Sequence, residues 1–235
     1  MVDAGSTSHR IYFGDADDFV VIRENNEHLS HGTTGLSCWQ ASCHLADLLA
    51  VLDMSNKSVV ELGAGCGLTG ISVASWQGAE RVMLTDFDPN VLEQLKHNVK
   101  LNLEKKINQV SVGTVDFLNF SPDDVPFAPD LVIGADIVYD TSILDGLSRT
   151  ISSLLSMKEG SVCIIASALR NPETLASFDK SLEQNGLHVA ESARIQGDRI
   201  VFDRDCSFQL PQFFPFSASV ECPTVIYVIV KSSNK

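Results

Sequence analysis

Positive charge is scarce in this sequence of 235 residues. It contains 17 lysine and arginine residues against 30 aspartate and glutamate residues, which gives a formal net charge of −13 at pH 7. A protein that binds duplex DNA or RNA through the phosphates needs a basic face. The densest basic stretch is the pair Lys105-Lys106, which follows Glu104. The composition argues against a nucleic-acid partner, and the acidity favours either a cationic partner or simple solubility.

Long apolar segments are also missing. Val225–Val230 is among the longest runs, whereas a membrane-spanning helix needs about 20 apolar residues. The first residues, from Met1 to Gly5, lack the basic region and apolar stretch of a secretory signal. We therefore expect a soluble intracellular protein in the cytoplasm or the nucleus, with no membrane partner.

Metal-binding spacings are absent as well. The six cysteines form no C-x-x-C pair, and the six histidines show neither H-x-x-x-H nor H-E-x-x-H spacing. Such spacings are typical of zinc sites. We expect reduced core thiols and no structural or catalytic metal ion.

Apolar runs of strand length alternate with segments of helical period, which predicts one α/β domain over residues 1–235. Residues 1–31 form an N-terminal extension, frayed to residue 16 and followed by a short strand. The predicted strands are Phe19–Glu24, Ser58–Leu62, Arg81–Thr85, Val110–Val115, Leu131–Ala135, Val162–Ser167, His188–Ile195, Ile200–Phe202 and Val225–Val230. The predicted helices are Leu36–Leu52, Leu68–Gln77, Pro89–Leu101, Ser142–Leu155 and the segment from Asn171 to Gly186.

This order predicts a Rossmann-like, doubly wound fold with a mostly parallel, seven-stranded sheet. The last strands follow one another without helices, which indicates an antiparallel C-terminal hairpin at the far edge. The stretch from Phe208 to Phe216 is rich in aromatic residues and proline and is expected to be a loop packed on the sheet.

A glycine loop directly follows the strand Ser58–Leu62. Its sequence, Glu61-Leu62-Gly63-Ala64-Gly65-Cys66-Gly67-Leu68-Thr69-Gly70, contains the G-x-G-x-x-G pattern of dinucleotide sites. The glycines begin immediately after the acid, however, and an acid above a floor of glycine backbone also suits S-adenosylmethionine (SAM). SAM has a charged amino-acid tail and a sulfonium but no phosphate. We expect Glu61, Gly63, Ala64, Gly65 and Gly67 to bind the cofactor.

Acids paired with aromatic residues end the next two strands. Asp86 is placed to accept hydrogen bonds from both ribose hydroxyls of either cofactor, and Phe87 is placed to cover the adenine. Asp116 and Phe117 offer a partner for the adenine amine and for its π-face. An ordinary loop carboxylate beside a core phenylalanine is the alternative for this second pair.

The strand Leu131–Ala135 is followed by Asp136 and Tyr139. Ligands of open α/β sheets lie outside the carboxyl ends of the strands, so these residues should lie beside the reactive end of the cofactor, next to Ala135. An acid and a phenol there can orient an amine nucleophile. The alternative for Asp136 is a helix cap. No G-x-S-x-G elbow is present, and no lysine lies four residues after Tyr139, which weakens a short-chain dehydrogenase interpretation.

Together these residues resemble the seven-β-strand SAM-dependent methyltransferases, whose fold is the class I methyltransferase fold. More narrowly, they resemble the protein-lysine group called methyltransferase family 16. The upstream segment Thr34-Gly35-Leu36-Ser37-Cys38-Trp39 matches that group's T-G-x-x-x-W. Residues Arg170-Asn171-Pro172-Glu173-Thr174 are most similar to the branch that contains the elongation factor 2 lysine methyltransferase.

The resemblance implies that Trp39 lies against bound SAM and that a methyl group passes in line from the sulfonium to a lysine ε-amine of a protein substrate, such as a translation factor or a chaperone. Asp136 would attract the ammonium and Tyr139 would orient it. We also expect a monomer. Three alternatives stay open: the same fold acting on another nucleophile or a small molecule, an NAD-dependent oxidoreductase, and an inactive binding module.

Overall fold

The computed structural model describes residues 7–14, 18–26, 32–76, 78–104, 109–213 and 222–232. Its strands are β1 (Thr7–Phe13), β2 (Phe19–Asn25), β3 (Ser58–Leu62), β4 (Arg81–Asp86), β5 (Val110–Thr114), β6 (Leu131–Ala135), β7 (Val162–Ala168), β8 (Leu187–Gln196), β9 (Arg199–Phe202), β10 (Ser207–Gln209) and β11 (Thr224–Lys231). Its helices are α1 (Gln40–Ala50), α2 (Leu68–Trp76), α3 (Pro89–Leu103), α4 (Leu144–Ser156) and α5 (Pro172–Gln184).

Nine of the described strands form the central sheet in the order β10-β9-β8-β11-β7-β6-β3-β4-β5. The strands β7, β6, β3, β4 and β5 are parallel, as the alternation of strands and helices predicts. The run from β8 to β5 contains the seven strands expected, and β9 and β10 extend the sheet beyond it. The last strand does not close the edge: β11 lies between β7 and β8 and is antiparallel to both.

Helices cover both faces of this sheet. One apolar layer includes Leu45, Ile71 and Leu95 from α1, α2 and α3, and the other includes Leu147 from α4 and Phe178 from α5. Burial on both faces explains why the parallel strands are almost continuously apolar. The chain leaves β3 toward β4 and β5 and then returns to the other side of β3 with β6. This reversal opens a crevice at the carboxyl ends of β3 and β6.

The N-terminal extension departs from the expectation of a frayed segment. Thr7–Phe13 forms β1, which pairs antiparallel with β2, and Phe13 lies opposite Phe19. Tyr12, Val20 and Ile22 are buried on the inner face of this hairpin. The sequence pattern missed β1 because only one of its side chains is buried. Residues 1–6 and 15–16 of the segment expected to be frayed lie outside the described part of the chain.

Helix α3 holds the hairpin in place through two asparagines one turn apart. The Asn98 side chain accepts from Arg23 N at 2.9 Å and donates to Arg23 O at 3.0 Å. Asn102 makes the same pair of bonds with Val21, each at 2.8 Å. The two amides therefore take the place that a neighbouring strand would have along β2. Asn98 also donates to Cys66 O at 2.9 Å, which links the hairpin to the glycine loop.

Helices α3 and α5 begin at the predicted caps, whereas α1 and α4 begin later than predicted. Asp88 accepts from the first N–H groups of α3, and Asn171 accepts from Glu173 N of α5. Helix α1 begins at Gln40, so Leu36 precedes the helix, and Trp39 is its N-cap residue. Helix α4 begins at Leu144, two residues later than predicted.

The aromatic stretch from Phe208 to Phe216 is described only as far as Phe213, and its first part contributes to β10 rather than to a loop. Among the described helices, none combines the length and the apolar character needed to cross a membrane.

Candidate active site

A cavity of about 520 Å³ lies at the carboxyl ends of β3, β4 and β6, next to the segment that precedes α1. Every residue that the sequence proposes for the site lines it, although these residues come from separate segments of the chain. They are Trp39, Glu61, Gly63, Ala64, Gly65, Gly67, Asp86, Phe87, Asp116, Phe117, Ala135, Asp136 and Tyr139.

The glycine loop has a backbone that side chains would obstruct. Gly63, Gly65 and Gly67 have φ values of +60°, +54° and +88°, in the left-handed region that costs other residues energy. A Cβ on Gly63 would lie 2.5 Å from Ile137 Cγ2, and one on Gly65 would lie 3.1 Å from Gly35 O. The loop is tied to β4 because Ala64 N donates to Thr85 O at 2.7 Å. Its backbone is therefore exposed to the cavity as a fixed floor.

Asp86, at the end of β4, fastens this loop. Its Oδ2 accepts from Gly65 N at 3.0 Å, and its Oδ1 accepts from Phe87 N at 2.8 Å and Asp88 N at 3.2 Å. Burial raises the pKa of Asp86, and these N–H groups oppose that shift. A carboxylate offers about four acceptor positions, so one position on Oδ2 stays open toward a ligand in this arrangement.

Glu61, at the end of β3, faces the first turn of α2. Only 2% of the residue is exposed, and Oε2 accepts from Gly70 N at 3.0 Å. Burial raises the pKa of this carboxyl to about 8. A Cβ on Gly70 would collide with Glu61 Oε2 and would lie 2.8 Å from Leu84 Cδ2. The last glycine of the pattern is therefore required for packing of α2 against the sheet.

The N-terminal hairpin positions the segment that carries Trp39. Glu24 of β2 is buried, accepts from Cys38 N at 3.0 Å and forms an ion pair of 2.9 Å with Arg10 Nε of β1. The Trp39 indole N–H donates to Thr34 O at 3.1 Å. Sequence reasoning did not assign Glu24 to the site, and an acid at the end of a short strand gives little signal of this contact.

The expected adenine side of the cavity has two exposed or half-buried aromatic rings. Phe87 is 64% exposed, and Phe117 is half-buried. Asp116 accepts from Leu118 N at 2.9 Å and from Asn119 Nδ2 at 2.6 Å. The loop after β5 is therefore held by its own acid, and the aromatic rings offer apolar surface for a ligand.

Asp136 has an unusual backbone conformation, with φ of +54°. Its side chain is 6% exposed, and Oδ1 accepts from Ala168 N at 2.9 Å. The two terminal nitrogens of Arg170 lie 3.4 Å from Oδ1 and Oδ2. Asp136 is not the cap of α4, because the next turn is held by Asp140, which accepts from Ser142 N. A strained, buried carboxylate at a cavity is a frequent feature of functional sites.

Arg170 is a second residue beside the cavity that sequence reasoning did not assign to the site. It follows β7, and its guanidinium carbon lies 5.1 Å from the centre of the Trp39 ring. The available signal was its position just before the Asn171 cap, which marks the carboxyl end of β7. Arg170 thus contacts both Trp39 and Asp136, two residues that line the cavity.

Tyr139 lies at the rim, with 63% of the residue exposed. Partial burial raises the pKa of its phenol, and the negative charge of Asp86 raises it further. The phenol is therefore neutral at physiological pH and can donate or accept a hydrogen bond.

A larger groove of about 730 Å³ lies elsewhere, between α5 and the strands β8 and β11. Its lining includes Asp179 and Tyr227, whose side-chain oxygens are 3.4 Å apart. None of the motif residues lines this groove, and it lacks a glycine loop. The smaller cavity is therefore the better candidate for the active site.

A model of the lysine methyltransferase family matches residues 20–185. The chain belongs to this family. It is 32% identical over 204 residues to the protein-lysine N-methyltransferase EEF2KMT of Bos taurus, covering 76% of this chain and 60% of that protein. It is 28% identical over 193 residues to the protein-lysine N-methyltransferase EFM3 of Saccharomyces cerevisiae, covering 75% and 57%.

Among solved structures, the fold is similar to that of a putative RNA methyltransferase from Pyrococcus horikoshii. The TM-score is 0.57 at 18% identity, covering 88% of this chain and 94% of that one. This similarity confirms the predicted methyltransferase fold. The chain spans about 60% of the length of the curated relatives it matches.

Within the part of the chain that the structure describes, no three side chains of histidine, cysteine, aspartate or glutamate come together as a metal-holding group. The absence of a metal from the reaction stays a prediction of the sequence.

Proposed function

We propose that this protein of the lysine methyltransferase family transfers a methyl group from SAM to a lysine side chain of a protein. The observation that carries the proposal is the cavity in which the glycine loop, Asp86 and Asp136 meet. One end of it provides a backbone floor and an acid for a nucleoside. The other end provides a buried carboxylate for a cation.

The residues present fit SAM on steric grounds. The loop carries no side chain at Gly63 or Gly65, where a Cβ would meet Ile137 or Gly35 at the cavity wall, so a ligand can approach the loop backbone closely. Asp86 keeps one acceptor position for a ribose hydroxyl, one fewer than the two hydroxyls that the sequence interpretation assigns to it, and Phe87 offers an exposed ring for the adenine. SAM supplies a methyl group on a positively charged sulfur.

Asp136 and Tyr139 are the proposed acceptor side of the site. The Asp136 carboxylate attracts a lysine ammonium, and the neutral Tyr139 phenol accepts or donates one hydrogen bond that orients it. A lysine ε-amine in water has a pKa of about 10.4, so its proton must leave to water before transfer. Much of the acceleration then comes from holding the nitrogen close to the methyl carbon.

We propose a protein as the substrate because the relatives named above are protein-lysine N-methyltransferases. The resemblance to the elongation factor 2 branch favours a translation factor, with a chaperone as the alternative. The acidic net charge of −13 suits a substrate segment rich in lysine. We further propose that the enzyme acts as a monomer in the cytoplasm or the nucleus.

Calorimetric titration with SAM and, separately, with NAD tests the cofactor. We expect micromolar binding of SAM and none of NAD; binding of NAD alone would overturn the proposal, and binding of neither would favour an inactive scaffold. A labelled-methyl assay on cell lysate then tests transfer to protein. Product on small molecules alone, with unlabelled protein, would overturn the substrate class.

Three variants separate binding from transfer. Asp86→Asn should weaken SAM binding, whereas Asp136→Asn should preserve SAM binding and lose transfer. Asp53→Asn is the matched control, because Asp53 is an exposed acid that precedes the opposite end of β3. Normal methylation by Asp136→Asn would contradict the proposed role of Asp136.

A further inference from the structure

The Asp136 carboxylate, which the proposed function assigns to the ammonium group of the substrate lysine, already has a cation beside it, the Arg170 guanidinium. The backbone N of Arg170 donates to Ala168 O at 2.8 Å, which turns the chain after β7. Its guanidinium then reaches back to Asp136, with one nitrogen 3.4 Å from each carboxylate oxygen. The same group lies over the Trp39 ring at 5.1 Å. The two-nitrogen approach to a planar carboxylate is the geometry that arginine favours.

Asp136 does not depend on Arg170 for its position. Its backbone N donates to Ala166 O at 2.8 Å, and its Oδ1 accepts from Ala168 N at 2.9 Å. Both bonds go to the backbone of β7, a strand inside the sheet. Removal of the guanidinium should therefore leave the carboxylate where it is.

The ion pair is loose on the arginine side. Bonds between a charged N–H and a carboxylate are usually about 2.7–2.9 Å long, and these are 3.4 Å. The Arg170 side chain is 47% exposed, against 6% for Asp136. Exposed ion pairs contribute little to stability, whereas a buried carboxylate without a cation is costly. Asp136 therefore requires a cation more than Arg170 requires Asp136.

We propose that Arg170 is a positioning residue that occupies the place of the acceptor's ammonium group on Asp136 and is displaced by it when lysine enters. This inference rests on the proposed function, because it assumes that the lysine binds at Asp136. It gives Arg170 two positions: on Asp136 when the acceptor is absent, and away from it, toward solvent, when the acceptor is bound.

The displacement hypothesis and a purely structural role for Arg170 predict opposite changes in the affinity for a lysine side chain when Arg170 is replaced. If Arg170 competes with the ammonium, Arg170→Gln should bind a lysine side chain more tightly than the wild type. If Arg170 only braces Trp39 and Asp136, the same change should loosen the site and weaken binding. Arg170→Lys keeps a competing cation, so its affinity for the lysine side chain should lie closer to that of the wild type than that of Arg170→Gln does.

The experiment measures binding of Nα-acetyl-lysine methylamide to ¹⁵N-labelled protein saturated with S-adenosylhomocysteine. The indole N–H signal of Trp39 reports on the site, and Trp76→Phe assigns it, because the chain has two tryptophans. Nα-acetyl-norleucine methylamide, which lacks the ammonium, is the matched control ligand. We expect Arg170→Gln to lower the Kd for the lysine ligand about threefold to tenfold, the effect of losing one partly exposed ion pair.

Each outcome decides the inference. The inference is overturned if the Kd for the lysine ligand is unchanged or raised in Arg170→Gln, or if Arg170→Gln also binds the norleucine control more tightly than the wild type does. Absence of lysine binding by the wild type overturns it as well. Calorimetry with SAM on the same proteins separates this result from the proposed function. Failure of the wild type to bind SAM overturns the proposed function, while normal SAM binding with an unchanged lysine Kd overturns only the role of Arg170.

Discussion

Replacement of Glu61 by glutamine should remove the free-energy cost of a buried negative charge, a cost that grows as the pH rises. The carboxyl is 2% exposed and accepts one N–H, from Gly70. Burial raises its pKa from 4.5 to about 8, because the charged form loses its hydration. Glutamine keeps the shape of the side chain and an oxygen that can accept the Gly70 N–H, and it carries no charge at any pH.

The sign and size follow from the linkage between proton binding and folding. Between the two pKa values Glu61 holds a proton in the folded protein but not in the unfolded chain, so its contribution to stability is greatest below pH 4.5 and falls as the pH rises toward 8. One pKa unit corresponds to about 1.4 kcal/mol. Glu61 should therefore cost the wild type roughly 3 kcal/mol in free energy of unfolding between about pH 5 and about pH 8.

Urea denaturation of wild type and Glu61→Gln at several pH values across this range measures the effect. The free energy of unfolding of the variant, minus that of the wild type, should increase by about 3 kcal/mol from the acidic to the alkaline end. Glu80→Gln is the matched control: Glu80 is exposed, so its replacement should leave the difference constant.

A difference that is constant with pH would refute this reasoning. It would mean that the buried carboxyl keeps its ordinary pKa, so that the surroundings of Glu61 stabilise the charge as well as water does. A difference that decreases with pH would require a positive partner for the carboxylate. In either case the hydrogen bonds from Gly70 and Thr69, or a further partner, would offset the cost of burial more than the raised pKa implies.

Three further changes have expected outcomes. Gly65→Ala should weaken SAM binding about tenfold by calorimetry, since a Cβ strains the left-handed backbone and lies 3.1 Å from Gly35 O at the cavity; Gly78→Ala, which has a similar left-handed φ but is remote from the cavity, should keep the affinity. Asn98→Ala should lower the free energy of unfolding by about 3 kcal/mol, because three hydrogen bonds, one buried and two partly buried, are lost, and a loss below about 1 kcal/mol contradicts this. Tyr139→Phe should keep SAM affinity and slow methyl transfer about tenfold; an unchanged rate excludes an orienting role.

The sequence by itself determined the architecture of the parallel part of the sheet. Apolar runs of strand length separated by helical periods permit few arrangements, because β-α-β connections are right-handed and short. The sequence also located the cavity. Residues that follow parallel strands, such as Gly63, Asp86 and Asp136, must meet at the same edge of the sheet.

Only the tertiary structure decided how the ends of the chain are used. Segment Thr7–Phe13 becomes a strand because it pairs with β2, whose other edge is held by Asn98 and Asn102 of α3. Strand β11 enters between β7 and β8 rather than at the edge. Both outcomes depend on contacts between residues far apart in sequence, which local patterns do not contain.

The partners of the charged side chains were likewise decided by the tertiary structure. The spacing of Glu61 and Gly70 is local, yet their hydrogen bond depends on how α2 packs on the sheet. Arg170 contacts Asp136, which lies 34 residues earlier in the sequence, and Trp39, which lies more than 100 residues earlier. Which acid receives which cation is set by competition for buried donors in three dimensions, whereas the residue types at the strand ends are already present in the sequence.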